Sequence, residues 1–91
     1  MANFYKRRGR SYGMEKRLNE FRIGERGVVR SVKAEGRIKR RLFDMGVTPG
    51  AKIVMIKVAP LGDPMEVNIR EYELTLRKSE AENVIMEVVQ E

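Results

Sequence analysis

The sequence contains no cysteine and no histidine. Without cysteine, the chain has no disulfide to stabilise a small core and no thiolate to bind a metal or attack a substrate. Without histidine, it lacks the commonest acid/base near neutral pH and the commonest transition-metal ligand. Its carboxylates, carbonyls and methionine thioethers suit hard cations or copper(I) better than zinc or ferrous iron. We therefore predict a non-catalytic protein with no cofactor and no metal site.

The sequence also lacks a long apolar run. No stretch approaches the roughly 18 apolar residues that a membrane-spanning helix needs. The N-terminus, MANFYKRRGRSYG, is basic but has no apolar segment of the kind found in signal peptides. We therefore expect a cytoplasmic protein, and its 91 residues leave room for one domain with a modest core.

Charge is distributed unevenly along the chain. Residues 1–41 carry 14 Lys/Arg against 4 Asp/Glu, a net +10, whereas residues 42–91 carry 5 against 9, a net −4. Residues 1–14 show no periodicity, so we predict a basic, flexible arm there and a folded domain at 15–91. Such an arm is either a solvated tail or a contact for nucleic acid or a membrane surface.

Short alternating segments predict a mainly β protein. The order is strand, short helix, strand, tight loop, strand, turn, strand, one helical turn capped by Ser79, and a last strand. About five short strands in so small a chain favour a β-barrel that closes its own edges. A bulge at Gly27 would reconcile the imperfect pattern of the first strand. The residues predicted to be buried in the later strands are Val54, Ile56, Val58, Val67, Ile69, Leu74, Leu76, Val84 and Met86.

The segment GRIKRRLFDMG, residues 36–46, predicts a short helix. Ile38, Leu42 and Met45 recur on one face, and Gly46 stands where a left-handed C-cap is expected. Four of the other positions are basic, and they form either a solvated face or a patch for an acidic partner or phosphates. These basic residues are Arg37, Lys39, Arg40 and Arg41. In the following segment, TPG, Pro49 and Gly50 occupy the positions that a type II turn prefers.

The segment APLGDPMEV, residues 59–67, interrupts a strand pattern with two prolines. Pro60 and Pro64 fix the backbone and remove two hydrogen-bond donors, while Gly62 and Asp63 supply the bend. One interpretation is a rigid hairpin connection that protects a sheet edge. The other is a preorganised loop beside a groove, which binds a partner at a low cost in conformational entropy.

Three segments, in this order, resemble the FeoA family of small cytoplasmic proteins of bacterial ferrous iron uptake. They are RLFDMGVTPGAKI, APLGDPMEV and LTLRKSEAENV, and the resemblance extends roughly from Leu18 to Val88. It implies an SH3-like β-barrel and an accessory or regulatory role beside FeoB, the GTPase-coupled permease for ferrous iron. Transition-metal binding is often associated with the family, but the residue inventory of this chain gives it little chemical support.

The resemblance favours the second interpretation of the proline loop, in which the loop meets a partner. We expect Leu61, Asp63, Arg40 and Arg41 to border the surface that meets FeoB or another protein. Five further residues are expected to shape the loops around it: Pro49, Gly50, Pro60, Gly62 and Pro64. The alternative is a small basic barrel that binds RNA or DNA through its arm and helix face.

Overall fold

Six strands form one antiparallel sheet in the computed structural model, which describes residues 11–90. The strand order is β1-β6-β2-β3-β4-β5. The strands are β1 (Ser11–Arg17), β2 (Arg26–Val32), β3 (Lys52–Val58), β4 (Met65–Ile69), β5 (Tyr72–Leu76) and β6 (Val84–Gln90). The helices are a 3₁₀ turn (Leu18–Glu20), α1 (Gly36–Asp44) and α2 (Lys78–Ala81). Within the described range, no helix combines the length and the apolar character that crossing a membrane requires.

The mainly β class with one short helix and a helical turn is confirmed, with two differences from the expected barrel. The sheet has six strands rather than about five, and β1 and β5 remain as unjoined edges. The additional strand is β1, which begins at Ser11 and therefore starts inside the predicted arm. Residues 1–10 of that arm lie outside the described residues, so the division into arm and domain stays a prediction.

Strand β1 is extended because it pairs with β6. Its sequence, SYGMEKR, has no apolar alternation, but its backbone pairs with β6 from Ser11 opposite Gln90 to Arg17 opposite Ile85. The next residue, Leu18, is fully buried and fixes the end of the strand to the core. Main-chain pairing with a distant segment therefore orders a stretch whose own pattern predicts no strand.

The core lies on one face of the sheet and includes Leu42 of α1, and much of the predicted set is found there. Val67, Ile69, Leu76, Val84 and Met86 are buried as expected, and Leu74 packs against them in a half-buried position. Leu18 and Phe21 also belong to this core, whereas Ile23 is 65% exposed. The other members are Val29, Val32, Leu42, Val47, Ala51, Ile53, Met55, Met65, Ala81 and Val88.

The predicted core face of β3 is wrong. Val54, Ile56 and Val58 are only half-buried, and the deeply buried residues are Ile53 and Met55. Both faces of this strand are apolar, so alternation alone does not identify the inner one. The pairing with β4 shifts after Met55, and this irregularity brings Val58 back against the core.

The irregularity of β2 lies further along the strand than predicted. The pairing with β6 shifts between Val29 and Ser31, which allows both Val29 and Val32 to be buried. Gly27 is not a bulge, because it pairs regularly with Val88. Gly27 instead allows the backbone of β6 to approach closely, because a Cβ at this position would lie 2.6 Å from the backbone oxygen of Glu87.

Helix α1 is fixed to the core mainly through Leu42, which is fully buried. Gly46 has a φ of +94°, and the Val47 N–H donates to the Leu42 carbonyl at 2.9 Å, so the predicted left-handed C-cap is present as a Schellman motif. Met45 packs partly against the core. Ile38 is 43% exposed, so the expectation that it packs inward is wrong. It lies in the first turn, one turn before Leu42.

Candidate functional site

The connection between β3 and β4 is a tight turn with an apolar side chain at its tip. The Gly62 N–H donates to the Ala59 carbonyl at 2.7 Å, and the Ala59 N–H donates to the Pro64 carbonyl at 3.0 Å. Pro60 and Leu61 are the central residues of this turn. Because the side chain of Leu61 is 93% exposed, the turn holds an apolar group in solvent on a backbone that is already ordered.

Asp63 has a structural contact that the sequence did not indicate. Its Oδ1 accepts the backbone N–H of Lys78 at 2.9 Å. Lys78 is the first residue of α2, where unpaired N–H groups favour a negative partner. The predicted cap, Ser79, is wrong. The N-cap residue is Arg77, whose N–H donates to Glu80 Oε1 at 2.9 Å.

Helix α2 also contacts α1 through an ion pair. Arg41 Nε donates to Glu80 Oε2 at 2.7 Å, and the Glu80 side chain is 13% exposed while that of Arg41 is 59% exposed. Asp63 and Arg41, which belong to separate predicted segments, are therefore both attached to α2. We call the surface formed by Leu61, Asp63, α2, Arg40 and Arg41 the hairpin–helix surface.

The exposed side of α1 carries an aromatic residue that sequence reasoning missed. Phe43 is 39% exposed, and Lys39 Nζ lies 5.6 Å from the centre of its ring. An open depression of about 420 Å³ lies beside them, bordered also by Gly36, Arg40 and Asp44. The sequence did contain a signal for this exposure, because Phe43 falls outside the predicted apolar face of the helix.

The two other predicted loop residues, Pro49 and Gly50, lie in a turn that joins α1 to β3. The Ala51 N–H donates to the Thr48 carbonyl at 3.0 Å, and Gly50 has a φ of +94°, as a type II turn requires. The Gly50 N–H also donates to the Val29 carbonyl at 2.8 Å. This turn therefore attaches the α1–β3 connection to β2.

The carboxylates of residues 11–90 are dispersed. No group of three or more Asp or Glu side chains in that range is placed so that it could hold a metal ion. Thus the geometry brings together Asp63, Glu80 and Arg41 around α2.

Comparison with known proteins gives a family match over most of the domain. The model of the FeoA domain matches residues 16–88. An Fe(2+) transport protein A/Fe(2+) transporter FeoB fusion protein from Porphyromonas gingivalis is 32% identical over 73 residues. These are 80% of this chain but 9% of the fusion protein, so the chain spans about a tenth of the length of that relative.

Solved structures of similar sequence share the fold. An NMR structure of a FeoA-like protein from Clostridium acetobutylicum is 37% identical with a TM-score of 0.77, covering 84% of this chain and 88% of that one. The crystal structure of Stenotrophomonas maltophilia FeoA complexed with zinc, described as a prokaryotic SH3 domain protein, is 30% identical with a TM-score of 0.71. That match covers 86% of this chain and 96% of the other. The expected SH3-like architecture is thereby confirmed.

Proposed function

Because the chain belongs to the FeoA family, we propose that it is a non-catalytic accessory protein of bacterial ferrous iron uptake that binds the cytoplasmic part of a FeoB-type permease. The observation that supports this most is the relative whose name joins Fe(2+) transport protein A and FeoB in a single fusion protein. Fusion keeps two domains at a high effective concentration, which favours domains that act on one another. This proposal places the protein in the cytoplasm.

We propose the hairpin–helix surface as the contact with the permease. Leu61 offers an exposed apolar anchor, and the hydrogen bonds that close its turn reduce the entropy lost when a partner binds. Arg40, which is exposed on α1 next to Arg41 in sequence and makes no ion pair within residues 11–90, adds positive charge. Such a combination favours a partner with an apolar pocket and acidic side chains around it.

Truncation of the apolar anchor tests this surface. Leu61→Ala should weaken binding to the isolated cytoplasmic domain of FeoB by at least about tenfold, since a central anchor typically contributes ~2 kcal/mol or more. Ile23→Ala is a matched control because Ile23 is also an exposed aliphatic residue, 65% exposed in the turn before β2. Calorimetry gives the affinities, and circular dichroism verifies that both variants are folded. A folded Leu61→Ala variant with unchanged affinity would refute the assignment.

Charge reversal on α1 distinguishes an effect on partner binding from an effect on the fold. Arg40→Glu leaves the Arg41–Glu80 ion pair in place, whereas the double change Arg40→Glu with Arg41→Glu also removes it. We expect the single change to weaken permease binding and the double change to weaken it further and to loosen α2. Normal pull-down and normal iron uptake by both folded variants would count against this surface.

The same preparations test the nucleic-acid alternative. If the basic residues serve RNA or DNA, affinity for an oligonucleotide will fall steeply as salt is raised, because binding releases condensed counterions. Permease binding anchored by Leu61 is expected to depend much less on salt, since apolar contacts are not screened.

A further inference from the structure

A groove lies on the face of the sheet that points away from the core. The pairing of β2 with β3 places Arg26 opposite Val54 and Val28 opposite Lys52. Directly opposed residues of antiparallel strands point to the same face, so these four side chains share one surface. The groove has a volume of about 240 Å³ and is also lined by Gly27, Ile53 and Val89.

The floor of this groove is apolar, although it contributes nothing to the core. Val28, Val54 and Val89 are all half-buried, whereas Ile53 and Val88, which alternate with them, are buried on the core side. Three aliphatic side chains are thus gathered on the outer face. Their further burial would be favourable if a ligand covered them.

Two cations border this floor without an acidic partner. Arg26 and Lys52 are exposed, and neither lies within ion-pair distance of a carboxylate in the described part of the chain. They form a diagonal pair across the two strands, a separation of about 7–8 Å between Cα atoms. These two like charges on one face repel each other, and a bound anion would reduce that repulsion.

Two acidic residues of the same face, on β6 and β1, are paired with Arg30. Glu87 is opposite Val28, and its Oε2 lies 3.4 Å from a terminal guanidinium nitrogen of Arg30. Arg30 Nε also lies 3.1 Å from Glu15 Oε2. Arg30 offsets one of these two negative charges, and neither carboxylate lies within ion-pair distance of Arg26 or Lys52, so those two cations keep their charge available to a ligand.

We propose that this groove, the Arg26–Lys52 groove, binds an acidic peptide segment that presents one aliphatic side chain. The aliphatic group would cover the three valines while neighbouring carboxylates meet Arg26 and Lys52. The volume is below the 300–1,000 Å³ of typical small-molecule pockets and suits a single side chain. None of the described side chains that line the groove has an aromatic ring on which a nucleic-acid base would stack.

The groove is separate from the hairpin–helix surface. Lys52 begins β3, and the Leu61 turn follows the end of the same strand, about 20 Å away along a strand of this length. The proposal therefore does not depend on the proposed function. It gives the domain a second protein-binding surface, so that one copy is able to hold two peptide elements at once.

An NMR titration with defined peptides tests the groove. The probe is an acetylated, amidated pentapeptide with a central leucine between two pairs of glutamates, added to the full-length ¹⁵N-labelled chain. We expect shift changes concentrated at Val28, Lys52, Val54 and Val89 and little change at Leu61. A peptide with glycine in place of leucine should bind at least about fivefold more weakly, because it covers no valine.

Charge-reversed variants identify the cations responsible. Arg26→Glu with Lys52→Glu should weaken binding of the leucine peptide by at least about tenfold. Arg37→Glu with Lys39→Glu is the matched control, because it changes the net charge equally on α1 and should leave the affinity within about twofold. If both double variants bind equally well, or if the glycine peptide binds as tightly as the leucine peptide, the proposal fails. Stronger binding of an oligothymidylate to the same four residues would also overturn it.

Discussion

Lys16 Nζ lies 3.0 Å from each of the two carboxylate oxygens of Glu25. The same Glu25 Oε1 accepts the Arg22 backbone N–H at 2.8 Å, and the Glu25 carbonyl accepts the Met55 N–H at 2.9 Å. One residue therefore joins the edge strand β1, the turn before β2 and strand β3. Like the ion pair between Glu15 and Arg30, this contact attaches a β1 side chain to the rest of the sheet beyond the β6 ladder.

The Glu25 contact makes stability depend on pH. Partial burial acts to raise the pKa of Glu25, but the Arg22 N–H and the Lys16 ammonium outweigh it, so the pKa lies below its ordinary value of 4.5. A lowered pKa in the folded state means that the stabilisation is complete above about pH 4.5 and is lost as the pH falls through the folded value. Glu25→Gln should thus cost about 1 kcal/mol at neutral pH and almost nothing at strongly acidic pH.

Urea unfolding at pH 7 and at pH 3 measures this difference. Glu73→Gln is the control, because Glu73 is exposed on the edge strand β5 and forms no ion pair within residues 11–90. If Glu25→Gln destabilises the protein equally at both pH values, the carboxylate contributes through shape rather than through charge.

Truncation of Leu42 should destabilise the fold strongly. The residue is fully buried and forms the end of the Schellman motif with Val47, which is also fully buried. We expect Leu42→Ala to lower the free energy of unfolding by about 2–5 kcal/mol. Ile38→Ala on the same helix should cost less than about 1 kcal/mol, since that side chain is 43% exposed. Similar losses for both variants would contradict the described orientation of α1.

The turn between β4 and β5 offers a stabilising substitution. Arg70 and Glu71 have φ values of 52° and 75°, in the left-handed region that two-residue hairpin turns use. Relief of ~1–2 kcal/mol of strain at Glu71 exceeds the ~0.4–1 kcal/mol entropy penalty of glycine. Glu71→Gly should therefore raise stability by roughly 0.5–1 kcal/mol, measured by thermal unfolding. Glu71→Ala removes the same charge without the conformational freedom, and a gain there as well would point to electrostatics instead.

The isolated protein should have no tight site for ferrous iron or zinc. The sequence has no Cys or His, and carboxylates alone bind these ions weakly. Anaerobic calorimetry is expected to show no stoichiometric binding with a submicromolar dissociation constant. A measured submicromolar ferrous affinity for the monomer would contradict this prediction.

Local chemistry predicted several features correctly from the sequence alone. Met65, Val67 and Ile69 alternate with polar residues, so the sequence identifies one face of β4 as the core face. Gly46 and Gly50 occupy positions where a positive φ is needed, and both adopt it. These features depend on a few adjacent residues, which is why pattern and turn preference sufficed.

Tertiary structure decided the features that local pattern left open. Strand β3 is apolar on both faces, so only its packing against the rest of the core selects Ile53 and Met55. Strand β1 exists because β6, about seventy residues later, pairs with it. The hairpin–helix surface depends on contacts between residues 15 and 39 positions apart, Asp63 with Lys78 and Arg41 with Glu80. Such contacts are absent from any short window of sequence, because they form only after the sheet has brought distant segments together.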